Sequence, residues 1–304
     1  MGQIPRVITP DVDARPARGA TTLHWPLTPD ELTAHVRIAL DEDAAFNDVS
    51  TLATVRTDRR AHATLVARHA GVIAGVPLAV EAFRQLDPAV VVRVEAEDGA
   101  SVGAGEPVLA LNGHARGLLS AERTALNYLQ HLSGIATRTA AFVARVAGTG
   151  ARILDTRKTR PGWRLLEKYA VRAGGGTNHR LDLRSAVLIK DNHLAAVDGR
   201  IAVAVERARA LAAAGTVVQV ECDTLDQVDA AIAAGADAIL LDNMSLTELV
   251  AAVQRVGNRA RTEASGGVTL ENVRAIAETG VNSVSIGALT HSAPALDLAL
   301  DFHA

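Results

Sequence analysis

The sequence predicts an α/β fold, with a parallel (β/α) barrel or near-barrel in the C-terminal half behind a smaller strand-rich N-terminal part. Three observations predict it. From about residue 150, short apolar runs end in polar residues and alternate with amphipathic stretches: ARILDTRKT, AVLIKDNH, VVQVECD, AILLDN, TEASGG and SVSIGALTHS. The polar positions that close them, 158, 190, 221, 242, 265 and 287, are 32, 31, 21, 23 and 22 residues apart, and the last three intervals fit one strand–helix unit each. Residues 53–111 instead carry short Val/Ile/Leu/Ala runs broken by Gly and Pro, the pattern of strands and hairpins. Runs apolar on both faces and alternating with helices imply a parallel sheet covered by helices. A doubly wound open sheet is the alternative, but no G-x-G-x-x-G follows a strand.

In chain order, Thr28-Pro29-Asp30-Glu31 opens the first helix, with Thr at the N-cap, Pro at N1 and Glu at N3 ahead of Leu32, Val36, Ile38 and Leu40. One helix is expected around 77–86. Glu97 to Leu111 reads as two short strands about a Gly-rich turn, like the hairpin of a lipoyl or biotin carrier. Such carriers need a lysine at the turn, and residues 1–157 contain none, so only a structural hairpin remains. In the barrel half, Thr224-x-x-Gln227 and Ser245-x-x-Glu248 open two helices. Gly215, Gly235, Gly257 and Gly280 sit where helices end, and a further helix is expected over 269–279. SAPALDLALDFHA reads as a short amphipathic C-terminal helix.

Composition narrows the function. The chain has 304 residues, 48% hydrophobic, with a formal net charge of −3. That balance disfavours a nucleic-acid or anionic-membrane surface, both of which need basic excess. No run of 18 uncharged apolar residues is present. The first 25 residues lack an apolar signal-peptide core and read as a loose tail. The single cysteine, Cys222, excludes an internal disulfide or a thiolate metal cluster. A cytoplasmic enzyme or binding protein is expected. Of 31 basic residues only three are lysines, Lys158, Lys168 and Lys190, all within one stretch. Arginine bias is ordinarily a coding effect; lysines that survive it are candidates for chemistry, because ammonium and guanidinium differ in geometry and hydration.

In a barrel the C-terminal mouth holds the site. There the pattern gathers Arg157, Lys158, Arg180 and Lys190, with Arg123 just upstream, two carboxylates, Glu221 and Asp242, and the small residues Ser265-Gly266-Gly267 and Gly287. A single strand-end cation is often only a surface charge, but five converging ones point to a polyanionic, phosphorylated substrate. Gly266-Gly267 alone is equally a plain turn, and Gly174–Gly176 most simply a flexible loop. His179 and His193 lack zinc spacing, and His131 and His291 read as ordinary polar residues. Cys222, next to Glu221, points away from the mouth by alternation. A Schiff-base aldolase through Lys158 or Lys190 leaves the arginines unexplained.

These runs, together with NDVST (47–51), ERTALNYLQHLSGIAT (122–137), DTRKTRPGWRLLEKYAVRAGGGTNHR (155–180), LIKDNH (188–193), ILLDNM (239–244) and EASGG (263–267), are together similar to the quinolinate phosphoribosyltransferase family over about residues 28–300. The resemblance implies an N-terminal α/β sandwich and an incomplete, seven-stranded α/β barrel. It divides the chain into a tail (1–24), the sandwich (25–128), the barrel with the active site (129–290) and a C-terminal helix packing back on the sandwich (291–304). It implies transfer of phosphoribosyl from phosphoribosyl pyrophosphate to quinolinate, with loss of the 2-carboxylate as CO2 and formation of nicotinate mononucleotide. A homodimer with sites shared across its interface, and Mg2+ as cofactor, come with it. By motif position, Arg123 reaches quinolinate from the neighbouring subunit. Thr156, Arg157, Lys158, His179 and Arg180 surround its carboxylates, and Lys190 lies between the two substrates. Glu221 and Asp242 bind ribose hydroxyls and, through water, magnesium. Ser265, Gly266, Gly267, Gly287 and Ala288 hold the 5-phosphate. Lys158, Lys190, Glu221 and Asp242 are the expected catalytic set.

This chain departs from the family pattern at Arg160, Ala173, Asp182 and Arg184-Ser185, and at Gln219, where Glu is frequent, two residues before Glu221 on the same strand face. Arg160 and Ala173 read as peripheral; Gln219 reads as a change that retunes magnesium or ribose contacts. The alternatives are a molybdenum-transport-associated relative of the same fold, a nicotinate-specific phosphoribosyltransferase and a catalytically inactive metabolite-binding module. The intact cation set favours the diacid quinolinate.

Overall fold

The computed structural model describes residues 23–303. The expected tail therefore lies outside the described residues except for Leu23, which packs on the core, and His24, whose carbonyl accepts from Arg172 at 3.0 Å.

The N-terminal part begins with α1 (Pro29–Glu42), which starts as its capping box predicts. Glu31 N donates to Thr28 Oγ1 (3.3 Å) and Thr28 N to Glu31 Oε2 (2.8 Å), while Val36 and Leu40 enter the core. A 3-10 turn (Ala45–Asn47) leads to α2 (Val49–Thr54), capped by Asp48 accepting from Thr51 N. There follow β1 (Arg60–Ala67), β2 (Gly71–Val72), α3 (Val76–Leu86), β3 (Val91–Val94), β4 (Ser101–Val102) and β5 (Pro107–His114). The Glu97–Leu111 hairpin does not form. β4 pairs with β2, because β5 is already paired along both edges, by β1 and β3.

α4 (Ala115–Arg145) joins the two halves, burying Leu118, Leu129, Leu132, Ile135 and Phe142. The boundary expected at 128/129 falls within this continuous helix.

The barrel runs through β6 (Arg152–Leu154), α5 (Arg164–Ala173), β7 (Val187–Ile189), α6 (Asp191–Ala195), α7 (Ile201–Leu211), β8 (Val218–Cys222), α8 (Leu225–Ala233), β9 (Ala238–Asp242), α9 (Leu246–Val256), β10 (Arg261–Ser265), α10 (Val273–Glu278), β11 (Ser283–Ser285) and α11 (Ala288–His291). Its strands are all parallel in the order β6-β11-β10-β9-β8-β7. A parallel bridge between Leu154 and Thr177 supplies a seventh, rudimentary member beyond β6. Both internal capping boxes form, at Thr224/Gln227 and Ser245/Glu248. The helix expected from 269 starts only at Val273, because Asn272 is held in a turn by Thr269 N and Gly267 O. Cys222 is buried, and burial pushes its thiol up to about 12.

The C-terminal segment is not a helix. Leu298–His303 forms β12, antiparallel to β1. Six alternating residues are too few to nucleate a stable helix, while the open edge of β1 offers a full ladder of hydrogen bonds. The segment reaches that edge by crossing α4, where Leu296 N donates to Gln130 O (2.9 Å) and Gln130 Nε2 to Leu298 O (2.8 Å). Pro294 lies so close against Gly134 that any side chain there collides with its carbonyl.

Candidate active site at the barrel mouth

The strand ends bring the expected residues, Arg123 excepted, to one mouth. Register sets Ser265 beside Asp242 on β10 and β9. Glu221 is the penultimate residue of β8, Lys190 follows β7, and the segment 155–158 follows β6.

On one side are guanidinium groups. Arg157 is half-buried, and its Nε is buried without a hydrogen-bond partner among the described residues. Burial, and then the nearby charge of Arg157, lower the affinity of Arg180 for its proton. Two partly dehydrated guanidiniums near one another favour an anion between them. Thr156 Oγ1 accepts from Lys158 N (3.0 Å), turning the chain so that Lys158 is exposed. Thr290 Oγ1 in turn donates to Lys158 O (2.7 Å).

This cation loop rests on a buried ion pair that the motifs did not disclose. The third lysine, Lys168, bonds Asp155, and both side chains are almost wholly buried. Burial pushes the Asp155 carboxyl up and the Lys168 ammonium down, each opposed by its partner. Asp155 also accepts from His179 N (2.8 Å) and Asn178 Nδ2 (2.5 Å), and Lys168 Nζ donates to His179 O (3.1 Å). One pair thus anchors both the strand leading to Arg157 and the loop carrying Arg180. Below that loop the glycine run is packed rather than loose. Gly174 lies against the Ala136 carbonyl and Gly176 against Thr139 and Val171, leaving no space for side chains.

His179 is turned into the barrel. Its Nδ1 accepts from Arg180 N (2.8 Å), and its Nε2 faces Gln219 Oε1 (3.2 Å) and Glu263 Oε2 (3.4 Å). Gln219 Nε2 donates to Glu263 Oε2 at 2.9 Å. Gln219 therefore serves this interior layer, away from the ribose and metal contacts its strand face suggested. Burial alone raises the Glu263 carboxyl, but the bonds from His179, Ser285 and Gln219 outweigh it and hold the group below its ordinary value.

The other side of the mouth uses carboxylates and backbone. Lys190 Nζ donates to Glu221 Oε2 at 2.5 Å. Asn243 Nδ2 donates to Asp242 Oδ2 (2.7 Å) from a left-handed backbone with φ 54°, a conformation that asparagine tolerates better than most residues. Its carboxamide fills the space where a Cβ on Gly266 would sit, and Gly266 itself has φ 93°. Gly287 is crossed by the stem of Lys158, whose Cδ lies 2.9 Å from where a Cβ would stand. Ala288 begins α11 directly after it. No cluster of three or more His, Cys, Asp or Glu suited to a metal occurs among the described residues. Glu221 and Asp242 are oxygen donors of the kind Mg2+ takes, and with no third such group beside them among the described residues they do not form a protein-only cage.

Arg123 does not join the other four cations in its own chain's mouth, and Arg160 and His131 are placed differently from the sequence reading. Arg123 is exposed on α4 and lines a cleft of about 480 Å3 with residues such as Asp43, Asp48, Val49 and Ser120, none of them from the barrel mouth. Arg160 and His131 are not incidental: Arg160 Nη1 lies 3.1 Å from the buried Glu167, which also meets His131 Nε2 at 2.9 Å. Trp163 adjoins them, edge-on to His131 and stacked on Tyr128 at 5.3 Å. Glu263, Asp155 and Asn243 each lie within one of the motifs, yet nothing in the sequence pattern marks them as supports of the mouth.

No described helix is long and apolar enough to cross a membrane. Comparison with known proteins gives two matching family profiles, the quinolinate phosphoribosyl transferase N-terminal domain over residues 48–133 and its C-terminal domain over 135–301. The chain is 49% identical to the nicotinate-nucleotide pyrophosphorylase (carboxylating) of Mycobacterium leprae, over 88% of this chain and 95% of that one. It is 43% identical to the probable enzyme of the same name from Bacillus subtilis, over 86% and 89%. The solved structure of the nicotinate-nucleotide pyrophosphorylase from Francisella tularensis superposes with a TM-score of 0.86 at 38% identity, covering 92% of this chain and 99% of that one. With the strand-end residues in family order around one barrel mouth, the chain belongs to the quinolinate phosphoribosyltransferase family.

Proposed function

We propose that this mouth transfers the phosphoribosyl group of phosphoribosyl pyrophosphate to quinolinate. The quinolinate nitrogen bonds to C1 of the ribose as the C1–pyrophosphate bond breaks. The C2–carboxylate bond then breaks to release CO2, its electron pair stays on C2 beside the positively charged pyridinium nitrogen, and a proton from water caps C2 to leave nicotinate mononucleotide. The observation that carries this reading is the pair Arg157 and Arg180, partly dehydrated and with Arg157 Nε buried and unpartnered among the described residues. A dicarboxylate supplies the missing acceptors in fork-to-fork geometry, which Lys cannot match.

Arg157, Lys158 and Arg180 hold the quinolinate carboxylates, with Thr156 shaping the turn beneath Lys158 and His179 behind Arg180. Lys190, bonded to Glu221, stands between diacid and pyrophosphate. Glu221 and Asp242 take the ribose hydroxyls and face the positive charge that grows at C1 as the bond breaks. Ser265, Gly266, Gly267, Gly287 and Ala288 cradle the 5-phosphate through backbone N–H groups. Glu221 and Asp242 would hold magnesium through water, and the ion would neutralise charge on the departing pyrophosphate. Arg123, outside its own chain's mouth, completes the site of a second subunit, so the working unit is a homodimer in the cytoplasm. The molybdenum-associated alternative has no observation in its favour.

The test offers purified protein phosphoribosyl pyrophosphate and Mg2+ with quinolinate or nicotinate separately, measuring CO2 and nicotinate mononucleotide. Turnover with quinolinate alone is expected; turnover with nicotinate alone would overturn the assignment of the cations.

A further inference from the structure

We infer that Glu263 and Gln219 are positioning residues for the diacid end of the site, acting through His179 to fix the backbone of Arg180. The inference rests on the proposed reading of that end.

The geometry runs through three separate segments. Gln219 lies on β8, Glu263 on β10, and His179 in the loop after Thr177. β9 separates β8 from β10, so the two side chains meet across the barrel interior. Barrel layers are built in this way, from alternate strands. Such layers are normally filled by branched apolar residues, yet here a carboxylate and a carboxamide, 5% and 6% exposed, occupy one directly beneath the mouth. Burying them is costly unless their polar atoms are bonded; Glu263 Oε2 is, by His179 and Gln219, while Glu263 Oε1 is buried without a hydrogen-bond partner among the described residues.

The hydrogen bonds fix each group's orientation. Arg180 N donates to His179 Nδ1, which assigns the ring proton to Nε2. Nε2 points at Gln219 Oε1 and Glu263 Oε2, so the Gln219 carbonyl turns to the imidazole and its NH2 to the carboxylate. Both ring nitrogens are thereby occupied by the protein. His179 acts on the diacid through Arg180, whose amide it holds, rather than as a direct ligand. Arg180 Nη1 donates to Ala186 O at 3.1 Å, so its guanidinium is tethered at the far end as well. The Glu263 carboxylate adds a negative charge under the cation pair. Glu at position 219 would put a second carboxylate against Glu263 and remove the NH2 that binds it. The glutamine is what lets a single buried carboxylate and a single imidazole tautomer coexist.

The experiment compares Glu263→Gln, Gln219→Met and Arg157→Ala with the parent enzyme, measuring KM for each substrate, kcat, thermal midpoint and the 15N signals of the His179 ring. The parent protein should show His179 protonated at Nε2 alone. Glu263→Gln and Gln219→Met should raise KM for quinolinate about tenfold, as loss of positioning does, with KM for phosphoribosyl pyrophosphate within about twofold, and should disperse the His179 tautomer signal. A parent ring protonated at Nδ1 overturns the inference whether or not the variants fold. So does an unchanged quinolinate KM in folded variants, or an equal rise in both KM values, which marks a merely structural role. Arg157→Ala separates the two levels. If it leaves quinolinate binding intact, the reading of the diacid end fails; if it weakens binding while Glu263→Gln does not, only the positioning role fails.

Discussion

On the proposed reading, the two sides of the mouth recognise anions by different means. The diacid side relies on side chains: Arg157 and Arg180 are long and mutually repelling, and each is held by buried polar groups beneath it, Asp155–Lys168 and Gln219–Glu263–His179. The phosphate side relies on backbone. Gly266 and Gly287 let the chain come close, and the neighbouring Asn243 and Lys158 occupy the space a side chain would need. A charge delivered by a flexible side chain needs a scaffold in the protein interior. A charge delivered by backbone N–H groups needs only conformational freedom and emptiness.

The most severe way to break this comparison is Arg123→Ala, which should abolish quinolinate turnover with the fold intact. Mixing it with Lys158→Ala protein after subunit exchange should restore part of the activity, since on the proposed shared-site dimer a hybrid carries one complete site. Absence of recovery despite proven exchange would place Arg123 outside the diacid side altogether.

Next in size is the contrast between two lysines. Lys168→Met leaves Asp155 buried and unpaired, and breaking such a pair costs about 3–5 kcal/mol; denaturant unfolding should register it together with loss of activity. Lys158→Met, at an exposed site, should lose activity with almost no change in unfolding. Equal destabilisation by both would erase the distinction between scaffold and ligand.

On the phosphate side, Gly266→Ala places a Cβ at φ 93° against the Asn243 carboxamide. The strain is about 1–3 kcal/mol. KM for phosphoribosyl pyrophosphate should rise with that for quinolinate unchanged, and adding Asn243→Gly should remove part of the penalty. A rise in quinolinate KM instead would mean that the two sides are not independent.

The smallest expected effect is on acid stability. Glu263 is held below its ordinary value in the folded protein, so it stabilises the fold above its unfolded pKa, about 4.3. That contribution is lost as pH falls through the lower folded value. Glu263→Gln should flatten the stability profile in that acid range, measured by thermal unfolding from pH 6 downward; an identical profile would remove the buried charge from this account.

Much of this was legible in the sequence because strand ends are marked by chemistry. A polar residue after an apolar run is conspicuous, and Glu221, Asp242, Lys190 and Ser265 all lie where the spacing put them. Depth was not legible. Gln219 and Glu221 share a strand face, so alternation assigns both to the mouth, but two residues along a strand is one full layer, and Gln219 sits in the layer below. Lys168 stood out only as a rare lysine; its partner Asp155 lies on a different segment, and no period connects them. The C-terminal LALDFH alternates as a strand does, yet what decides its conformation is the vacant edge of β1, which is remote in sequence.

That last pairing has a consequence for how the molecule is made. Arg68, just beyond β1, and Asp301 on β12 are joined across 233 residues of chain. A nascent chain that has emerged only as far as the barrel holds β1 with one edge uncovered, and such an edge readily recruits other strands. Contacts so distant in sequence also form late in folding. The outer edge of β1 is therefore covered only once residues 298–303 have joined it.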